Sequence, residues 1–360
     1  MSYKINNIVD VNILTDTLYR GAINFRAPPV IEIPDVILPP TDWGPIPSGG
    51  GGLYTGNGWG IRISGDTILV AGGLSDNTNK HIASTDGGLT FAITDIPQAA
   101  FKTSAAVAIN LALGWYLFGR SNALYLSTTS PLTGYVSVHV MSASYIYSAH
   151  IADDGRICAV GSGGRMAFKS SIADGGTWVD TLIGTSNLIG VTHVTASTWI
   201  IVADAGKAYY TDNDFLTLTI LEAGLSSGST TGNILCVSSN ASGIVVAGLA
   251  GGFAAYSTNF GAAGSWLPLV RYVGFPTAAD VRGVAVSQYG DVVFGGGGGG
   301  NATLSNAADF GTFAVLPSKL NNGAATSAGE IIFDVACNSE GKFVASFDTG
   351  FLAISPPLGV

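Results

Sequence analysis

Four basic side chains stand at places in the sequence where they could form a charged or metal-binding surface. Arg62 and Arg282 lie inside short, alternating apolar segments, and His150 and His193 occupy matching places in two neighbouring segments of the same kind. Guanidinium groups clamp carboxylates, and paired imidazoles contribute to metal or anion sites. The sequence places no third metal ligand near the histidines. We therefore predict a shared polar surface made by these four residues and no metal site.

Carboxylates supply the other chemistry that this sequence could carry out. Two carboxylates on facing strands would give a glycoside hydrolase its acid and its base, and Asp153 with Asp334 is one such combination. Many Asp residues of the chain, however, stand beside Gly or Asn, where a carboxylate stabilises a turn by accepting backbone N–H groups. We therefore predict no catalytic residues, and a two-carboxylate glycosidase stays open as the alternative.

The composition excludes several classes of partner and cofactor. The 360 residues include 50 Gly, only 11% are charged, and the net charge is −9. Lys and Arg are too thinly spread to neutralise phosphates, so we expect neither nucleic acid nor an anionic membrane as a partner. No apolar window is long enough to cross a bilayer, and no spaced Cys set or phosphate-binding Gly motif is present. We expect no membrane insertion and no cofactor.

A repeated pattern of short strands runs from residue 41 to the end of the chain. One apolar strand recurs about 42 to 51 residues apart, which is the length of a four-stranded propeller blade. Its seven copies are residues 67–72, 114–119, 156–161, 199–204, 243–248, 291–295 and 342–346. The following strand of each unit ends in a hydroxyl residue, at Ser84, Ser127, Ser171, Thr211, Ser257, Ser305 and Ser355. The two series agree, and we predict an all-β, seven-bladed β-propeller.

The two ends of the chain differ from the repeats between them. The seventh unit stops after Ser355 without a fourth strand, and a segment around Trp43 resembles the fourth strand of the first complete unit. We predict that it completes the seventh blade and removes the open edges of the sheet array. Residues 1–40 are rich in Pro and β-branched residues, which favours an extended arm. The predicted domains are therefore an anchoring arm at 1–40 and the propeller at 41–360.

One turn between repeats carries a recognisable motif. Ser84-Thr85-Asp86-Gly87-Gly88-Leu89-Thr90-Phe91 fits the pattern Ser-x-Asp-x-Gly-x-Thr-aromatic. Degenerate copies at equivalent places contain Asp174, Gly176, Trp178, Asp214, Trp266 and Asp309, and the split copy combines Ser355 with Trp43. The chain thus resembles the Asp-box (BNR-like) seven-bladed propellers, which include sialidases, other glycosidases, receptors and assembly factors. The resemblance implies a turn-stabilising role for Ser84, Asp86, Gly88, Thr90 and Phe91, and a central channel that Arg62, His150, His193 and Arg282 would line.

A second, short resemblance concerns the N-terminus. Ile5-Asn6-Asn7-Ile8-Val9-Asp10-Val11 is similar to the start of some tailed-bacteriophage tail proteins. It implies a non-enzymatic virion component, made without a signal peptide in a host cytoplasm. Many copies would dock on other virion proteins through residues 1–40 and display the propeller, with host-surface glycan as a candidate ligand. A sialidase-like glycosidase and an intracellular assembly factor are the alternatives.

Overall fold

Twenty-eight β-strands make up nearly all of the regular structure in the described part of the chain. The structure, a computed structural model, describes residues 44–45, 56–74, 80–95, 106–170, 176–221, 232–268, 279–297, 302–306, 309–315, 331–347 and 352–355. All of these residues belong to one unit, Leu38–Val360. A short 3-10 turn, Ser162–Gly164, is the one helical element among them, and no described helix has the length and apolar character to cross a membrane.

The strands form seven four-stranded antiparallel sheets, which we number as blades in chain order. Blade 1 contains β2 (Gly56–Ser64), β3 (Thr67–Leu74), β4 (Lys80–Ser84) and β5 (Ala92–Asp95). Blade 2 contains β6 (Ala106–Asn110), β7 (Trp115–Arg120), β8 (Ala123–Ser127) and β9 (Val136–Val140). Blade 3 contains β10 (Ile146–Ile151), β11 (Ile157–Gly161), β12 (Arg165–Lys169) and β13 (Trp178–Leu182).

The remaining blades repeat this order. Blade 4 contains β14 (Leu188–Thr195), β15 (Thr198–Ala203), β16 (Ala208–Thr211) and β17 (Thr219–Ile220). Blade 5 contains β18 (Ile234–Ser239), β19 (Val245–Leu249), β20 (Phe253–Ser257) and β21 (Leu267–Pro268). Blade 6 contains β22 (Val281–Val286), β23 (Asp291–Gly296), β24 (Ala302–Asn306) and β25 (Asp309–Val315). Blade 7 contains β26 (Ile332–Cys337), β27 (Phe343–Phe347), β28 (Leu352–Ile354) and β1 (Gly44–Pro45).

The second strand of a blade is buried on both faces, and its sequence explains why. Every residue of β15, which reads Thr-Trp-Ile-Ile-Val-Ala, is buried, and the same is true of β11, β19, β23 and β27. Continuous β-branched and aromatic runs of this kind suit a strand that is covered on both sides. The fourth strands β9 and β13 are instead largely exposed. The core therefore lies between blades rather than within any one of them.

The ring closes through its first strands. β2, β6, β10, β14, β18, β22 and β26 contact one another in that order, and β26 contacts β2. The buried apolar side chains of the described residues fall into seven clusters, and each cluster joins two adjacent blades. A single blade cannot cover both of its faces, so only the closed ring buries them all. The predicted seven-bladed β-propeller is confirmed.

The two ends of the described chain meet in blade 7. β1 pairs with β28, with Gly44 opposite Ile354 and Pro45 opposite Ala353, so an N-terminal strand supplies the fourth strand of the last blade. This is the arrangement that the incomplete seventh repeat predicts. Trp43 and the arm at 1–40 lie outside the described residues.

Candidate functional site

A cavity of about 210 Å³ occupies the centre of the ring, and all seven first strands contribute to its wall. It is lined by Arg62, Ala106, Val107, Tyr147, Ser148, Ile189, Gly190, Leu235, Cys236, Val237, Arg282, Phe333 and Asp334. These residues place the cavity in the central channel. Of the four basic residues predicted to line the channel, Arg62 and Arg282 belong to this wall, and His150 and His193 do not.

β-Bulges turn many of these side chains towards the channel. The pairing between first and second strands skips a residue in the first half of the first strand in six blades, at Trp59, Tyr147, Ile189, Leu235, Arg282 and Phe333. An extra residue in one strand is left out of the ladder, and its side chain is re-aimed. Five of them, Tyr147, Ile189, Leu235, Arg282 and Phe333, are in the cavity wall. The bulge is therefore the local feature that gives the channel its aromatic, apolar and cationic side chains.

An ion pair between blades 1 and 7 crosses one side of the cavity. Arg62 Nη1 lies 2.7 Å from Asp334 Oδ2, and the two side chains are 30% and 17% exposed. The carboxylate also accepts the backbone N–H groups of Ile61, at 3.1 Å, and Val335, at 2.9 Å. Burial raises the pKa of Asp334, although Arg62 and these hydrogen bonds act in the opposite direction. Both charges are matched within the protein.

The second channel arginine is also held by neighbouring groups. Arg282 Nη2 donates to Asp280 Oδ2 at 3.2 Å, and its guanidinium lies 5.6 Å from the ring centroid of Phe333. That distance allows a cation–π interaction. The side chains of Arg282 and Asp280 are 39% and 32% exposed, so this weaker pair is partly open to solvent.

A groove of about 410 Å³ adjoins the channel on the side of blade 3. Its wall contains Ser142, Ala143, Ser144, Tyr145, Tyr147, Ser162, Gly163 and Arg165, so Tyr147 borders both the groove and the central cavity. The rings of Tyr145 and Tyr147 are near parallel, with centroids 6.4 Å apart and an interplanar angle of 25°. The sequence alone makes Tyr145 and Tyr147 two of several aromatic residues that could stack on sugar rings. Only the fold brings the two rings together, because residues 141–145 form the loop between blades 2 and 3.

The two predicted histidines pack between blades 3 and 4. Their ring centroids are 6.2 Å apart, and both rings contact the buried Trp199, at 6.0 Å for His150 and 4.7 Å for His193. His193 Nε2 is 2.7 Å from the carbonyl oxygen of Ala196. Burial, with smaller effects from His193 and Arg62, lowers the pKa of His150 to about 3. This histidine is therefore neutral at pH 7. Across the described residues, no group of three His, Cys, Asp or Glu side chains could hold a metal ion.

The turn that follows β4 is built by the motif residues. Ser84 Oγ donates to Asp86 Oδ1 at 2.8 Å and accepts the N–H of Gly88 at 2.9 Å. Asp86 accepts the N–H of Thr90 at 2.9 Å and its hydroxyl at 2.5 Å. The Thr90 side chain, its backbone N–H and then Ser84 lower the pKa of Asp86 to about 2. Phe91 packs on the apolar cluster between blades 7 and 1.

Blade 4 repeats this turn with different residues. Thr211 Oγ1 donates to Asn213 Oδ1 and accepts the N–H of Phe215, and Asn213 Oδ1 accepts the N–H of Thr217. Asn213 is therefore the counterpart of Asp86, which corrects the sequence-based choice of Asp214. Asp214 lies one position later, at a φ of 52°, and binds Arg156 and the indole N–H of Trp199 instead. The spacing Thr-x-Asn-x-x-x-Thr matches the spacing of Ser84, Asp86 and Thr90 and could have identified Asn213. The Asp next to it was chosen instead because the motif contains Asp.

The other motif residues have separate environments. Trp266 is buried in blade 5, where its Nε1 donates to the carbonyl oxygen of Gly261 at 2.8 Å. Gly176 is half-buried, and Trp178 begins β13 two residues later. The Trp178 ring stacks on that of His139, with centroids 4.7 Å apart. Asp309 begins β25 and pairs with Asn306. The Ser355 hydroxyl accepts the N–H of Phe343 at 2.8 Å. Asp174 lies outside the described residues.

Three buried asparagines form a blade-to-blade link that sequence reasoning missed. Asn110, Asn240 and Asn338 end or follow a first strand, and each donates its side-chain N–H to a carbonyl oxygen of the next blade. The acceptors are Ala152, Ser287 and Gly65, at 2.8, 2.8 and 3.1 Å. Each Asn Oδ1 also accepts N–H groups of its own turn. The recurrence of Asn before a Gly turn at three equivalent places is the signal that could have revealed them.

The carboxylates of the alternative glycosidase hypothesis lie at different ends of their strands. Asp334 is in the first half of β26 and borders the channel, whereas Asp153 is exposed in the turn that follows β10. The part of the chain that the structure describes does not bring Asp153 to the cavity wall.

Solved structures share this architecture, whereas sequence comparisons find no match. No family model and no curated protein matches the chain. The WD40 β-propeller domain of Doa1 is similar, with a TM-score of 0.62 and 11% identity over 84% of this chain and 94% of that one. YCF48 bound to a D1 peptide gives 0.62 and 11% over 87% and 94%, and YCF48 from Cyanidioschyzon merolae gives 0.63 and 12% over 87% and 98%. At such identities the likeness concerns the fold alone, and the fold is that of a seven-bladed β-propeller.

Proposed function

We propose that this chain is a non-enzymatic structural component of a tailed-bacteriophage virion. Residues 1–40 dock on another virion protein, and the propeller at 41–360 is displayed in many copies. The non-enzymatic part of the proposal rests on the contacts of the two channel arginines. Arg62 pairs with Asp334, and Arg282 contacts Asp280 and Phe333. Their charges are therefore used in contacts within the ring.

The channel supports this proposal over a sialidase-like glycosidase for a chemical reason. A retaining or inverting glycosidase needs two carboxylates flanking the substrate, and one of them must act as an acid. The carboxylate in the cavity wall is Asp334, and it is bound by Arg62 and two backbone N–H groups. A group with all of these partners is poorly placed to attack or protonate a sugar.

The turns after β4 and β16 support the finer assignment to Asp-box propellers. In both turns a buried hydroxyl accepts an N–H four residues on, and the Asp86 or Asn213 side chain accepts another. Such a turn stabilises a blade and does no chemistry. We include this assignment in the proposal, together with the virion role that low charge, high Gly content and the Pro-rich arm favour.

An intracellular assembly factor is the second candidate. One similar solved structure is that of YCF48 bound to a D1 peptide, so a propeller of this architecture takes a peptide ligand in that protein. For the present chain, the assembly-factor hypothesis predicts one cellular partner and no association with particles.

Gold-labelled antibody on particles from the native source tests the proposal. We expect label at a repeated position on the particles, and loss of incorporation when residues 1–40 are deleted from a chain whose β-sheet circular dichroism is unchanged. The matched control is Tyr289→Ala, an exposed change at the turn before β23, which should incorporate normally. A chain found only free, or bound to one cellular protein, would overturn the virion role.

A further inference from the structure

Two tyrosine rings, together called the tyrosine platform, line the groove beside blade 3. Tyr145 and Tyr147 are both partly exposed, and their near-parallel rings are 6.4 Å apart between centroids. Tyrosine presents an apolar ring face together with a polar hydroxyl, so a pair of such rings suits an amphipathic, ring-shaped ligand. The C–H faces of a sugar and its equatorial hydroxyls have this combination of properties. Tyr147 also borders the central cavity, so the surface extends beyond the length of one ring.

Polar groups surround the tyrosine platform at defined places. Ser162 Oγ accepts the N–H groups of Ser144 and Tyr145, at 2.9 and 3.1 Å, so its own hydrogen is directed elsewhere. Arg165 borders the groove and, within the described residues, forms no ion pair with a carboxylate. A guanidinium in this setting can take a carboxylate through two parallel hydrogen bonds.

The carboxylates near the groove are engaged by protein groups. Asp204 accepts the side-chain N–H of Asn187 at 2.9 Å, and Asp180 accepts both the N–H and the hydroxyl of Ser142. Asp180 also lies 2.6 Å from His139 Nε2. Burial, then Asp204 and Tyr145, raise the pKa of Tyr147, which keeps its hydroxyl protonated as a donor. Arg165 is thus the charged group that the groove wall offers to a ligand.

The backbone that forms the groove is fixed by close contacts. A Cβ on Gly161 would lie 2.1 Å from the carbonyl oxygen of Tyr145, so only glycine lets the loop before β10 approach the end of β11. The N–H of Ser162 donates to that same carbonyl at 2.9 Å. The tyrosine platform is therefore held against the blade by main-chain contacts, and a pre-formed surface of this kind loses little entropy on binding.

We propose that this groove binds an acidic oligosaccharide. One sugar stacks on the Tyr145–Tyr147 platform, its carboxylate pairs with Arg165, and Ser162 donates to a hydroxyl. The chain of sugars continues past Tyr147 towards the channel mouth. The inference deepens the display role proposed above and rests on it, since it names what the displayed propeller recognises.

Binding to matched saccharides tests the groove. The purified full chain is applied to an array of acidic and neutral saccharides, and titration calorimetry then compares tetraglucuronate with cellotetraose, which differ in the carboxylates. We expect saturable binding that favours tetraglucuronate by about tenfold or more. Tyr147→Ala should weaken binding at least about tenfold, and Arg165→Gln should remove the preference for the acidic sugar. Tyr289→Ala removes an exposed tyrosine outside the groove and should change neither result.

Three results would overturn the proposal. They are no retention on any saccharide of the array, equal affinity for tetraglucuronate and cellotetraose, and binding that Tyr147→Ala leaves unchanged. Thermal unfolding of each variant separates loss of the platform from loss of the fold, and Tyr145→Phe keeps the ring face and should bind like the parent. The particle-labelling experiment does not depend on saccharide binding. A groove that fails here and a chain absent from particles are therefore distinguishable outcomes.

Discussion

The junction between blades 3 and 4 and the junction between blades 7 and 1 have the same backbone arrangement but different side chains. Ala152 N–H donates to the carbonyl oxygen of Arg156, and Asn338 N–H donates to that of Lys342, so these residues occupy equivalent places. We call them the aromatic junction (blades 3 and 4) and the aliphatic junction (blades 7 and 1). Each has its own buried apolar cluster.

In each junction, a basic residue just before the second strand reaches across to the next blade. Lys342 Nζ donates to the carbonyl oxygen of Gly87 at 3.0 Å, whereas Arg156 Nη1 lies 2.6 Å from Asp214 Oδ2. Gly87 and Asp214 are the same position of the turn that precedes the fourth strand, three residues after Ser84 and Thr211. The aromatic junction therefore uses a charged pair where the aliphatic junction uses a carbonyl.

A second link is made by Asn in one junction and by the same Arg in the other. Asn338 Nδ2 donates to the carbonyl oxygen of Gly65 at 3.1 Å. The equivalent residue in blade 3 is Ala152, whose side chain has no donor, and there Arg156 Nη2 donates to the carbonyl oxygen of Ala196. One forked guanidinium thus replaces two side chains, which a lysine cannot do.

The buried faces of the junctions differ in the same way. Strand register makes Trp199 equivalent to Ile68, and His193 equivalent to Ile63. His150 is likewise equivalent to Ala336. The ring thus tolerates aromatic or aliphatic packing provided that a side chain donates a hydrogen bond to the carbonyl oxygen of Gly65 or of its equivalent, Ala196. The predictions that follow test this statement, beginning with the largest effect.

Removing the central aromatic residue should produce the largest loss. Trp199 is fully buried, contacts both histidines, and donates its indole N–H to Asp214 at 3.0 Å. We expect Trp199→Ala to lower the free energy of unfolding by about 3–5 kcal/mol, as large aromatic truncations do. Urea denaturation measures it. Trp199→Phe keeps most of the packing and should cost less, and an equal loss in both variants would mean that the hydrogen bond to Asp214 dominates.

The aromatic junction should also be sensitive to acid. The pKa of His150 is lowered to about 3 from an ordinary 6.5, so below pH 6.5 the unfolded chain takes up a proton that the folded chain refuses. Stability conferred by this neutral imidazole is complete above pH 6.5 and is lost as the pH falls towards 3. Between pH 7 and pH 4, we expect the parent chain to lose about 2 kcal/mol more unfolding free energy than the His150→Ala variant. This variant copies Ala336 of the aliphatic junction. Parallel pH–stability curves for the two proteins would contradict this.

The asparagine link should matter in the aliphatic junction. Asn338→Ala leaves the carbonyl of Gly65 and the N–H groups of Glu340 and Lys342 without their partner, so we expect a loss of about 1–2 kcal/mol in urea denaturation. The double variant Asn338→Ala with Lys342→Arg reproduces the pair found at Ala152 and Arg156. It should recover part of the loss. No recovery would show that the two junctions are not interchangeable.

The smallest effect is expected at the turn after β4. Its Asp86 has a pKa of about 2 against an ordinary 3.8, so its contribution is present above pH 3.8 and is lost as the pH falls towards 2. The equivalent Asn213 of blade 4 accepts the same bond from Thr217 without a charge. Asp86→Asn should fold normally and should flatten the stability curve between pH 4 and pH 2, as followed by thermal unfolding. An unchanged slope in that range would contradict the assignment.

Local pattern in the sequence accounts for much of this molecule. The spacing of the apolar second strands and of the Ser and Thr residues predicted to end the third strands indicated seven blades, because a strand and its turn are set by residues close in sequence. The incomplete last repeat predicted the pairing of β1 with β28 for the same reason. The turn at Ser84 to Phe91 also folds through bonds that span at most four residues.

Contacts between blades were decided only by the tertiary structure. Arg156 meets Asp214, and Asn338 meets Gly65, across long stretches of chain that no local pattern relates. Bulges add a second reason. A skipped residue such as Tyr147 or Arg282 shifts the alternation of side chains between the two faces of the strand. Counting every second residue in the sequence therefore does not distinguish a side chain in the channel from one that packs between blades. His150 lies on the regular part of β10 and packs between blades 3 and 4. Tyr145 and Arg165 line one groove only in the folded blade, because 20 residues of chain separate them.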